Sequence, residues 1–143
     1  MEIKQTLKMP PAALYKQIIH SVLVDINQQT GQALRPDQLN GFSYRKRFNA
    51  QQEGQITITQ NLINQSYHYE TKTNRNHYEI GYDITPADDG QQSLLTYNEK
   101  VIANRDSQQL NNWLSVTLLG WGRKHNFKKM LRAMEDHYQS EQV

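Results

Sequence analysis

The chain has 143 residues, a formal net charge of +2, a hydrophobic fraction of 36% and no cysteine. That length suits one domain over residues 1–143, able to bury roughly 70% of its unfolded surface, and the missing cysteines exclude disulfides and thiolate metal sites while fitting a reducing cytoplasm. So mild a charge does not point to nucleic acid, no stretch nears the roughly 20 apolar residues of a membrane span, and the opening MEIKQTLKMPP lacks the apolar core of a signal peptide.

Residues 2–9 alternate, with Ile3, Leu7 and Met9 sharing one side with Gln5, which predicts a half-buried first strand. Pro10 and Pro11 end it and suit the first turn of a helix, where a missing N–H costs nothing. Leu14, Tyr15, Ile18, Ile19, Val22, Leu23 and Ile26 then recur at spacings of three and four, predicting an amphipathic helix with Gly31 as its C-cap. Residues 32–41 read as a loop with one helical turn at PDQLN.

A run of strands follows. Phe42, Tyr44 and Phe48 alternate, as do Ile56, Ile58 and Leu62, then Tyr67 and Tyr69, then Tyr78, Ile80, Tyr82 and Ile84. In the last strand, near 93–103, the Leu95, Tyr97 and Val101 side is more apolar than the Leu94, Thr96 and Ile102 side. Short turns at Gln52-Glu53-Gly54, Asn74-Arg75-Asn76 and Ala87–Gly90 imply an antiparallel meander.

Asp106 or Ser107 can cap a final helix reaching to about residue 139. Its apolar stripe runs through Trp113, Leu114 and Trp121. It then resumes through Phe127, Met130, Leu131 and Met134, offset by about 100°, one residue of helical rotation. Gly120 and Gly122 fall at the break, which predicts an irregularity between 119 and 126.

Strand, Pro-initiated helix, five-strand meander, long helix: this order, carried by MEIKQTLKMPPAALYKQIIHSVLVDI at the start and NNWLSVTLLGWGRKHNFKKMLRAMEDHY at the end, resembles the START/Bet v 1-like (helix-grip) superfamily, and within it a small bacterial family of unknown function. The resemblance implies an α+β fold. A six-stranded curved antiparallel sheet would carry an N-terminal helix after strand 1 and a long C-terminal helix across its concave face. Its members share a cavity between sheet and helix rather than a catalytic motif, so it implies neither a catalytic residue nor a cofactor.

The tyrosines carry the site hypothesis. Short loops set Tyr67 opposite Tyr82, Tyr69 opposite Ile80, Tyr82 opposite Tyr97 and Ile80 opposite Glu99. On that register Tyr67, Tyr69, Tyr78, Tyr82 and Tyr97 line the concave face beneath Trp113 and Trp121, either clasping a flat or amphipathic ligand or simply filling the core. The same register turns Glu99 inward as a polar anchor, whereas a one-residue slip returns it to solvent. Lys46 is placed to snorkel from the sheet's rim.

The histidines 20, 68, 77, 125 and 137 lack metal-ligand spacing, so no metal is expected. The basic stretch SYRKR and the helical Arg123, Lys124, Lys128, Lys129 and Arg132 fit a solvated face or an acidic partner. The leading expectation is a cytoplasmic, non-enzymatic domain that binds a small apolar or aromatic ligand. The alternative is a protein-interaction module or homodimer like the chaperone-activator members. A third reading, a cyclase-like or hydrolase-like enzyme, requires Glu99 buried within reach of a tyrosine hydroxyl inside a solvent-connected pocket.

Overall fold

The computed structural model of the protein describes residues 1–48, 50–74, 76–104 and 120–142, and gives backbone alone for 103–104, 120–124 and 126. Six strands form one antiparallel sheet in the order β1-β6-β5-β4-β3-β2. They are β1 (Glu2–Leu7), β2 (Ser43–Arg47), β3 (Glu53–Leu62), β4 (Ser66–Lys72), β5 (Asn76–Ala87) and β6 (Gln92–Asn104). Helix α1 (Pro11–Thr30) follows β1, and α2 (Gly120–Glu141) closes the described chain. The expected start of that last helix and Trp113 lie outside the described residues.

Helix α1 begins without a side-chain cap because Pro11 has no N–H to satisfy. It ends where Gly31 takes φ 76° and donates its N–H to the Asn27 carbonyl, a left-handed turn that glycine enters without a Cβ penalty. The helix buries Leu14, Tyr15, Ile18, Ile19 and Ile26. These join Leu7, Met9, Ile58, Leu95 and Leu131 in the main core, and a smaller core gathers Ile3, Ile80 and Tyr97. In the loop after α1 the expected helical turn is a short 3-10 segment, Pro36–Gln38.

Strand pairing follows the alternation, with two departures, one in β3 and one between His77 and Tyr78 of β5, where the register against β6 shifts. Tyr67 faces Tyr82, Tyr69 faces Ile80, Tyr82 faces Tyr97 and Ile80 faces Glu99. Between Ile58 and Gln60 the register of β3 against β4 shifts by a bulge. Ile56 and Ile58 are buried, but Leu62, expected on the same side, is 45% exposed, and Asn61 stands opposite Tyr67 instead. One extra residue reverses which side chains face inward, because the strand period is two.

Helix α2 is held at both ends of its described length. Phe127 packs its ring 4.4 Å from Tyr97, and Leu131 is buried. Further on, Glu135 accepts a hydrogen bond from the Lys8 backbone N–H and Gln139 donates to the Lys8 carbonyl. Gln17 of α1 donates to the Met134 carbonyl. The helix is continuous from Gly120, so no interruption falls at 120–126, and residue 119 lies outside the described residues.

Candidate functional site

Between α1, the sheet and α2 lies a cavity of about 560 Å³. Helix α1 lines it with Gln17, Ile18, Ser21, Val22 and Asp25, whose spacing puts a polar row 17-21-25 beside an apolar row 18-22. The sheet contributes Tyr44, Lys46 and Ile56, then Tyr67, Tyr69 and Tyr82, and α2 adds Met130, Leu131 and Met134 among the described residues. Its volume is in the range of pockets that hold small molecules.

The rings are arranged in a relay. Tyr67 lies 5.5 Å from Tyr69 and 6.3 Å from Tyr82, centroid to centroid. Tyr82 in turn meets Tyr97 at 5.1 Å, edge to face, and Phe127 at 6.2 Å. Tyr82 therefore belongs both to the cavity wall and to the packed aromatic group beside it.

The hydroxyls divide differently. Tyr44 donates to Asp25 Oδ2 at 2.6 Å, Tyr97 to Glu99 Oε1 at 3.0 Å, and Tyr15 to Asn61 Oδ1 at 2.5 Å. Among the described residues, none gives the hydroxyls of Tyr67, Tyr69 or Tyr82 a hydrogen-bond partner. Burial first, and then neighbouring phenols and carboxylates, push Tyr67 and Tyr69 far above the ordinary phenol range. Burial and then the charge of Glu99 push Tyr82 up to about 12. At neutral pH all three remain protonated donors.

Asp25 is the polar centre that the sequence reading missed. Its Oδ1 lies 3.0 Å from Lys46 Nζ and its Oδ2 accepts from Tyr44, with both charged side chains about a quarter exposed. The signal was present: Asp25 falls seven residues after Ile18 and three after Val22, on the face that helical spacing assigns to the core. Lys46 does not reach out from the sheet's rim. It folds inward to Asp25, with its Nζ also 5.8 Å from the Phe48 ring centroid.

Of the residues expected to form the ligand site, Tyr67, Tyr69 and Tyr82 line the cavity. Tyr78, Tyr97 and Glu99 are not among the described lining residues. Tyr97 and Glu99 are buried beside it, in and next to the small core with Ile3 and Ile80, and Tyr78 is only partly buried opposite Val101. Trp113 lies outside the described residues, as does the side chain of Trp121, whose backbone belongs to α2. The enzyme reading has its buried carboxylate with a phenol in reach, but among the described residues neither group stands on the cavity wall.

On the outer face, His68 pairs with Asp83 at 2.9 Å and His77 with Glu70 at 3.3 Å. Among the described residues no three histidines, aspartates or glutamates gather as a metal site, and no helix is long and apolar enough to cross a membrane.

The model of a family described as a domain of unknown function (DUF3284) matches residues 1–120. No curated protein matches the chain. Among solved structures, protein MLL2253 from Mesorhizobium loti superposes with a TM-score of 0.62 at 12% identity, covering 96% of each chain. Ara h 8.0201 gives 0.61 at 12% identity, covering 98% of this chain and 97% of its own. DynU16, from the dynemicin biosynthetic locus, gives 0.53 at 12% identity over 90% of this chain, which spans only 46% of that protein's length. At these identities the likeness is one of fold, and the fold is the Bet v 1-like helix grip.

Proposed function

We propose that this chain, which belongs to the DUF3284 family and folds as a Bet v 1-like helix grip, acts as one domain that binds a small apolar or aromatic molecule between sheet and helices without transforming it. The observation that carries this reading is a cavity of about 560 Å³ in which tyrosine ring faces and methionine side chains supply apolar wall. Three phenol hydroxyls without a described partner border it. Unpaired buried hydroxyls cost free energy in the empty protein. A ligand oxygen that accepts from them recovers that cost, while ring contact supplies affinity.

Tyr67, Tyr69 and Tyr82 then form the floor of the site and Met130 and Met134 its flexible side, methionine being able to adapt to ligand outline. In this reading Tyr78, Tyr97 and Glu99 support the floor from beside the cavity, and Trp113 and Trp121 are its lid. Native mass spectrometry of freshly purified protein tests the proposal. A co-purifying small molecule, released on denaturation, is expected, and a spectrum holding only the bare chain counts against it.

One observation favours interaction with another protein as a second reading. Leu62 and Ile63, at the β3–β4 turn, are 45% and 65% exposed, an apolar pair raised into solvent by the bulge. The same spectra report a homodimer if one forms.

A further inference from the structure

Among the described residues that line the cavity, Asp25 and Lys46 are the charged ones, and they are 3.0 Å apart. Tyr44 fixes the second carboxylate oxygen at 2.6 Å, so the carboxylate cannot turn toward the cavity without losing that bond. Among the described residues the wall thus carries opposite charges that cancel at short range, and beyond them only dipolar and apolar groups. An ion entering it would leave water and meet no net opposite charge, which is unfavourable. An uncharged molecule forfeits no such hydration, and its acceptor oxygen finds protonated phenols at Tyr67, Tyr69 and Tyr82.

We propose that the Asp25–Lys46 pair, locked by Tyr44, is the specificity determinant that restricts this cavity to uncharged ligands bearing an acceptor oxygen. The inference rests on the ligand-binding reading and deepens it. Each member of the pair cancels the attraction the other would exert on ions. Removing one member therefore converts the cavity into a binder of ions of a stated sign. Asp25→Asn leaves Lys46 unopposed and favours anions, while its amide oxygen still accepts from Tyr44. Lys46→Met leaves the carboxylate and favours cations.

The test uses the full chain and probes that share a naphthalene ring: acetylnaphthalene, naphthoate and naphthylmethylammonium, titrated calorimetrically at neutral pH. The unaltered protein is expected to bind the ketone about tenfold or more tighter than either ion, a difference of ~1.4 kcal/mol. Relative to the ketone in the same form, Asp25→Asn is expected to tighten naphthoate by about tenfold and Lys46→Met to tighten the ammonium probe by about tenfold. The double variant Asp25→Asn/Lys46→Met restores the original order and shows that the wall still folds, which circular dichroism confirms for every form. Ions that bind as well as the ketone, or single variants that leave the order unchanged, overturn the selectivity while leaving ligand binding standing. Failure of all probes on every folded form counts against ligand binding itself, and the selectivity falls with it.

Discussion

The concave face holds two groups of tyrosines that differ in what surrounds their rings and hydroxyls. Toward β1, Tyr97 is wedged between Ile3, which it pairs with across the sheet, and Phe127 of α2 at 4.4 Å, and its hydroxyl reaches Glu99. Toward β2, Tyr67 and Tyr69 share a wall with Ser21, Asp25 and Lys46, and space remains in front of them. One end is filled and the other hollow, although both come from the same strand alternation. The difference originates in the helices. Helix α2 brings a phenylalanine to the filled end, whereas α1 brings a serine and an aspartate to the hollow one, and the short Ser21 side chain leaves room that a larger apolar residue would occupy.

Alkaline titration probes both ends at once and should give the largest effect. The phenols of Tyr44, Tyr67, Tyr69, Tyr82 and Tyr97 are all raised above the ordinary value of 10.0, burial being the first cause in each. A raised folded value means that the unfolded chain releases its proton first. Stability from these groups is complete below pH 10 and is lost as pH climbs toward about 12, where Tyr82 ionises in the fold. Each phenol contributes a slope of about 1.4 kcal/mol per pH unit in that window. The tyrosinate absorbance of these five among the eight tyrosines should therefore appear together with loss of far-ultraviolet dichroism. Absorbance of more than three tyrosinates ahead of the unfolding would mean that the hollow end is wetter than its geometry indicates.

Substitution separates the ends more finely. Tyr97→Ala should cost about 3–5 kcal/mol in urea titrations, as expected for a large side chain removed from a packed core. Tyr97→Phe should cost about 1 kcal/mol through the lost bond to Glu99, whereas Tyr69→Phe should be neutral or slightly stabilising. Equal costs for the two phenylalanine substitutions would erase the distinction between partnered and unpartnered hydroxyls. The smallest effect belongs to Leu62→Thr, expected within about 0.5 kcal/mol because the bulge already exposes this side chain. A loss above ~2 kcal/mol there would mean that β3 pairs without its bulge and turns Leu62 inward.

The strands, their partners and the inward turn of Glu99 were legible because alternation and turn length are local signals that agree over many residues. The bulge was not. A single inserted residue at Thr59 changes neither composition nor strand length, yet it exchanges Leu62 for Asn61 on the inner face. The cavity was only half legible. Alternation says which tyrosines face inward, but whether a ring meets another ring or a void depends on residues of helices distant in sequence. Asp25 was visible as a carboxylate on an apolar stripe, and Lys46 as a cation on an inward-facing strand position. Their meeting depends on how α1 lies across β2, which no spacing within either segment encodes.

The place of β1 in the sheet also governs the order of events during synthesis. Its only neighbour among the described strands is β6, and the Met1 nitrogen bonds to the Glu99 carbonyl 98 residues away. At ribosomal speeds that interval is on the order of 5–20 s, during which Ile3 and Leu7 have no strand to pair with. The amphipathic α1 emerges directly behind them and offers Leu14 and Ile18 as interim cover. Closure of the seam is thus a late, long-range event, of the kind that slows folding. Until β6 emerges, the newborn chain carries the β1 and α1 segments without the other edge of their sheet.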